Sequence, residues 1–316
     1  RPISEIKQML SGDFEKNYIA LLSLLQEYPA LKDSFSSIDS SFPSLSPENM
    51  LSRLRQMITE DYPAIPLQTA CTVKYVDDSL EPYSAPAFYM TPPIDDMDEN
   101  TIYINRMDTA GGLSLFTTLA HEGYPGHLYQ TVYSGFHLQA SGADPLRSIL
   151  SYGGYVEGWA TYVELSSYDY AVRLVRDAHP EAEPLYLAEK LNRQVQLCLY
   201  SMLDIIIHYE GASYERVKEI LSAMGIADDR AARAVYEYII EEPCNYLKYY
   251  LGYLEIEALK EQAQSIWTEK DGKDSFTLYR FHSFLLDNGP ADFRTLSRLL
   301  DTTRSYRRPY LLEKKN

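Results

Sequence analysis

Leu119–Gln130 reads L-A-H-E-G-Y-P-G-H-L-Y-Q, which sets His121, Glu122 and His127 within seven residues. About thirty residues later Glu157–Glu164 reads E-G-W-A-T-Y-V-E. Imidazoles and a carboxylate are the donors of a hydrolytic zinc site, in which three protein ligands leave a fourth position open for water. The pattern predicts a Zn2+ centre, and its leading chemical expectation is hydrolysis of a peptide or small amide substrate.

The histidine spacing carries a geometric condition. In H-E-x-x-H the two rings lie about 40° apart on one helical face and reach one ion. His121 and His127 are six apart, which is roughly 120° out of line on a regular helix. Both meet one ion only if the helix is distorted between them. Pro125 cannot donate to the His121 carbonyl, and Gly126 tolerates backbone angles that other residues avoid, so a local bulge is expected there. Glu122, next to the first histidine, takes the place of a general base that removes a proton from an acidified water. Glu157 and Glu164 are seven apart and share a helical face. One can ligate while the other buttresses a histidine. The plain alternative is that the histidines are unrelated polar residues at a helix end and Glu122 a surface carboxylate.

Other candidates stand further along. Asp204 and His208 form an i, i+4 pair, in which a carboxylate can orient an imidazole toward an oxyanion or the helix can simply satisfy its own histidine. Tyr249, in N-Y-L-K-Y-Y-L-G, offers a phenol as a second oxyanion donor, although most of the 28 tyrosines must be packing residues. His137 and His179 lie in loop-like, solvated contexts, and His282 reads as a helix-packing residue. Neither a phosphate-binding glycine loop nor a G-x-S-x-G elbow is present, so nucleotide-binding and serine-hydrolase readings lack an anchor.

Working outward, residues 3–28 carry apolar side chains at helical spacing. Residues 33–47 read as a loop, and Ser46-Pro47-Glu48 opens a helix ending near Asp61-Tyr62-Pro63. Strands are expected over 68–76 and 101–105, with an irregular proline-containing segment from Pro82 to Pro93. The second strand, just ahead of the motif, is either a sheet edge that pairs with substrate through Tyr103 and Asn105 or an ordinary strand closing a small sheet. Helices follow over 113–124, 152–175, 184–210, 213–223, 228–241, 245–267, 275–286 and 292–303. The fold class is mostly α, α+β, with a small sheet near the metal helix. Residues 1–64 form an N-terminal helical segment and 65–316 the domain that carries the motifs.

A net charge of -16 argues against nucleic acid and anionic membrane as partners. Cys71, Cys198 and Cys244 are too scattered for a disulfide framework. Leu197–Tyr209, the longest apolar stretch, is broken by Asp204 and falls short of the ~20 residues of a membrane span. The chain begins Arg1-Pro2, as a mature part or a piece of a longer protein does. Secretion, an envelope anchor in a preceding region and a cytoplasmic place all stay open.

Five motifs in order give the chain a family resemblance over roughly residues 65–300. They are H-E-G-Y-P-G-H-L-Y-Q (His121–Gln130), E-G-W-A-T-Y-V-E (Glu157–Glu164), D-I-I-I-H (Asp204–His208), P-C-N-Y-L-K-Y-Y-L-G (Pro243–Gly252) and F-H-S-F-L-L-D-N-G (Phe281–Gly289). The sequence resembles the bacterial family called domain of unknown function 885, whose members look like zincin-type metallopeptidases of gluzincin layout. The resemblance implies His121, His127 and Glu157 as ligands, with Glu164 left as the buttress, and Glu122 as base. It also matches His208, after Asp204, and Tyr249, before Gly252, to family positions. Departures at Pro243-Cys244-Asn245, where the family has Pro-Gly-Gln, and at Tyr200, commonly arginine, bear on substrate preference and on the anchoring of a substrate carboxylate. A non-catalytic protein that keeps the scaffold, or a hydrolase of non-peptide amides or esters, shares these residues.

Overall fold

Apolar spacing over residues 3–28 produces one helix, α1 (Ile3–Glu27), which buries Leu10, Asn17 and Leu21. The computed structural model describes residues 1–34, 38, 41–65, 69–93, 96–107, 111–180 and 182–302. Parts of the expected 33–47 loop (35–37, 39 and 40), Gln68 of the first strand and residue 303 of the last helix lie outside these. A short α2 (Leu31–Ser34) precedes α3 (Pro47–Met57), where the Ser46 hydroxyl accepts from the Asn49 amide at 3.3 Å. Helix α3 closes at Met57, short of the expected Asp61–Pro63, with the Ile58 amide donating to Leu54.

The sheet contains β1 (Ala70–Tyr75), β2 (Ala87–Met90) and β3 (Glu99–Ile104) in the order β1-β3-β2. Strand β3 runs parallel to β1 and antiparallel to β2, with Ala87 opposite Ile104 and Met90 opposite Thr101. Two expectations are corrected here. The Pro82–Pro93 segment is not wholly irregular, because proline-free Ala87–Met90 pairs with β3. Strand β3 is then central and has both backbone edges occupied, so residues 101–105 offer no edge to a substrate. The strand beside the helix that carries His121 and Glu122 is β2.

Nine helices complete the described fold: α4 (Gly112–Glu122), α5 (His127–Ala140), α6 (Gly153–Val175), α7 (Ala182–His208), α8 (Tyr214–Ala223), α9 (Asp229–Glu241), α10 (Asn245–Asp271), α11 (Leu278–Asn288) and α12 (Phe293–Thr302). Asp228 and Thr277 cap α9 and α11 by accepting from the Ala231 and Arg280 amides at 2.9 and 3.1 Å. Helix α6 packs on α4, α7 and α10 and is buried nearly all round, as a helix enclosed by others must be. Helix α1 lies along α7, α3 on α4, α11 on α5 and α12 on α10. Among the described residues no helix is long and apolar enough to cross a membrane.

His137 is a further correction. It is buried in α5, 3.3 Å from Asp287 and stacked on Tyr133, because packing on α11 overrides the loop-like local composition around Gly135. His282 packs as expected. Its Nδ1 donates to the Asp61 carbonyl at 2.6 Å, its Nε2 accepts from Tyr162 at 2.9 Å, and its ring stacks on Tyr62. Burial lowers its pKa to about 3, which keeps it neutral.

Helices α6 and α10 meet backbone to backbone. A Cβ on Gly158 would stand 2.4 Å from the Gly252 carbonyl carbon, and one on Gly252 would stand 2.2 Å from the Gly154 carbonyl oxygen. Gly158→Ala must therefore push the helices apart, at about 1–3 kcal/mol. A lower denaturant midpoint is expected; an unchanged midpoint would contradict the crossing.

Candidate metal centre

Helix α4 delivers His121 and Glu122 in its last turn, and α5 begins at His127. The expected bulge is a complete break between two helices. Gly126 packs so closely on the preceding helix that a Cβ there would lie 1.7 Å from the His121 carbonyl oxygen, so no other residue fits. The Tyr129 amide returns to the Gly123 carbonyl at 3.2 Å, and the Trp159 indole donates to the Pro125 carbonyl at 2.9 Å. Helix α6 thus holds the turn from behind.

The break brings the two imidazoles to 4.8 Å between centroids at an interplanar angle of 83°. Glu157 Oε2 lies 3.7 Å from His121 Nε2 and 3.4 Å from His127 Nε2. These separations are long for hydrogen bonds. They suit a shared ion, because two donors ~2.0–2.1 Å from zinc at a tetrahedral angle are ~3.3 Å apart. Glu157 Oε2 is also buried with no hydrogen-bond partner, an arrangement that a cation relieves. His121, Glu122 and His127 likewise present ligand atoms within 4.8 Å of one another. The residues therefore fit a divalent metal.

Outer contacts orient this set. His121 Nδ1 faces Glu164 Oε2 at 2.9 Å, and Arg193 Nε donates to Glu164 Oε1 at 2.8 Å. A proton on Nδ1 leaves Nε2 as the donor toward the ion. Glu122 Oε2 accepts from the Tyr89 amide of β2 at 2.8 Å, while Oε1 stands 4.0 Å from His121 Nε2. The Tyr249 ring stacks on His121 at 5.9 Å. Burial, then the charges of Glu157 and Glu122, push its pKa well above the usual phenol range, so it stays a hydrogen-bond donor. Glu164 is lowered to about 2: burial, which would raise it, is outweighed by Arg193 and His121. Burial pushes Glu157 the same way and loses to His121 and His127, which leave it well below the carboxylate range.

Other sequence candidates lie apart from this cluster. His208 is exposed at the end of α7, its Nδ1 2.9 Å from Asp204 Oδ1. It is not among the residues that line the cleft over His121. Asp204 also accepts from the Cys244 amide at 3.1 Å and so pins the start of α10 rather than a metal ligand. Asn105 is fully buried and spends its amide on the Glu81 and Ser84 carbonyls at 2.7 and 3.0 Å, fixing a loop. The Tyr103 ring stacks on Phe88 across the sheet at 5.2 Å. Arg193 and the Tyr89 amide escaped sequence reasoning, since neither carries a local motif and only the tertiary fold brings them in. A cleft of about 310 Å³ opens over His121, Glu122 and Tyr249, with Arg193, Asn245 and Tyr246 on its wall.

A metal bound at this cluster would have to expel a proton. The pKa of His121 rises to about 10: burial, which would lower it, is outweighed by Glu157, Glu164 and Glu122. The imidazole is therefore protonated below that pH without an ion, and a ligand must give up that proton. Zinc affinity should rise with pH up to about 10. Calorimetry at pH ~7 in buffers of different ionisation enthalpy should register proton release; zinc uptake without it would contradict the assignment.

A family model described as "Bacterial protein of unknown function (DUF885)" matches residues 40–300. No curated protein matches the chain. A crystal structure described as "the putative lipoprotein from Colwellia psychrerythraea" shares the fold with a TM-score of 0.72 at 22% identity, over 94% of this chain and 52% of that one. This chain spans about half the length of that protein.

Proposed function

The chain belongs to the bacterial family of unknown function DUF885, and we propose that it is a zinc-dependent hydrolase of zincin type that cleaves peptide bonds. The observation that carries the reading is the buried, unpartnered Oε2 of Glu157, set 3.7 and 3.4 Å from two imidazole nitrogens. His121, His127 and Glu157 would hold the ion. When bound, zinc supplies a Lewis acid that polarises a carbonyl and acidifies water.

The remaining chemistry belongs to the chain's own groups. Glu122, aligned by the Tyr89 amide, takes a proton from the water whose oxygen adds to the carbonyl carbon. It returns that proton to the nitrogen as the C–N bond breaks, so that one water is added across the peptide bond. Tyr249, kept neutral and stacked on His121, donates a hydrogen bond to the carbonyl oxygen as charge develops there. Glu164 holds the His121 tautomer throughout.

Elemental analysis of the purified protein should find one zinc per chain, lost in His121→Ala. Glu122→Gln should keep the zinc while lowering kcat/KM on a peptide library by ~10²–10⁴. Simple amides and esters screened beside the peptides test the substrate class. A protein that takes up no zinc would end this reading.

A further inference from the structure

Arg193 is more than a support for Glu164. Among the described residues that line the cleft, it is the only lysine or arginine, and its side chain keeps 34% of its surface exposed while that of Glu164 keeps 7%. Its Nε is spent on Glu164 at 2.8 Å and its Nη1 reaches Gln196 at 3.3 Å. A guanidinium carries five N–H donors in a planar fork that suits carboxylates, so donors remain after these two bonds. Elsewhere in the cleft an anion meets Glu122 and Glu164, with Glu157 close to His121. With the His121 imidazole neutral as a metal ligand, a substrate carboxylate has one charged protein group to seek, and it is Arg193.

We infer that the substrate carries a free carboxy terminus, that Arg193 receives it, and that cleavage falls close to that end of the peptide. This rests on the peptidase reading above and deepens it. The link from Arg193 to His121 runs through a single carboxylate, by contacts of 2.8 and 2.9 Å. The reacting carbonyl is then within about three extended residues of the anchored terminus, at ~3.3–3.6 Å each. Asn245 and Tyr246, on the same wall, add neutral polar groups beside the anchor.

The test separates anchoring from catalysis. Zinc-loaded Glu122→Gln protein is titrated calorimetrically with N-acetyl-Ala-Phe and with its carboxy-terminal amide. The free acid should bind at least ~10-fold tighter, as charge-assisted pairing with a guanidinium implies. Adding Arg193→Gln should bring the two ligands to equal affinity, and Arg193→Lys, which keeps a charge beside Glu164, should leave a reduced preference. A role confined to holding Glu164 would weaken both ligands alike and keep their ratio. Equal binding of acid and amide before Arg193 is changed, or a ratio that survives Arg193→Gln, overturns the anchor. If wild-type protein hydrolyses both peptides equally, the anchor fails and the peptidase reading stands; if the protein takes up no zinc, both fail.

Discussion

The contact between the Gly126 backbone and the His121 carbonyl is the constraint from which the centre follows. On an unbroken helix the two imidazoles would diverge by roughly 120°. With the chain folded back at Gly126, they sit 4.8 Å apart and nearly perpendicular. A broken helix leaves backbone groups that need partners, and the Trp159 indole supplies one by donating to Pro125. Trp159 lies on α6 between Glu157 and Glu164, so the helix that closes the turn also carries the carboxylates the turn aims at.

Electrostatics binds the same parts into one unit. Glu122, Glu157 and Glu164 are gathered in a largely covered space with Arg193 as their cationic neighbour. Neutral imidazoles leave such a group two charges short of balance, which a divalent ion restores. Buried carboxylates without that compensation are costly. Burial, helped by the same field, keeps the Tyr249 phenol protonated, so the charge distribution that favours a cation also supports a donor beside it.

The histidine–glutamate cluster was legible in the sequence because its parts are local: His121, Glu122 and His127 flank one Pro-Gly pair, and Glu157 and Glu164 are two turns apart. Long helices such as α1, α6, α7 and α10 were legible from apolar spacing for the same reason. What stayed hidden depends on partners distant in the chain. Strand β2 is only Ala87–Met90, too short to announce itself between prolines, and without it β3 looks like an edge. The pairing of Asp204 with His208 is real, but sequence spacing cannot say that Asp204 also holds the Cys244 amide at the start of α10. His137 looked solvated because its burial comes from α11, 150 residues later. Arg193 was invisible because nothing near it in sequence marks the carboxylate it meets.

The amide that aligns Glu122 comes from the main chain of β2. Every amino acid except proline supplies that same N–H, so the alignment of the catalytic candidate does not depend on which side chain stands at position 89. Glu164 has no such insurance, since its counterpart is the side chain of Arg193. Divergence among relatives should thus be forgiving around the base and exacting around the carboxylate that steadies His121, which makes the two halves of one centre unequal in their tolerance of genetic change.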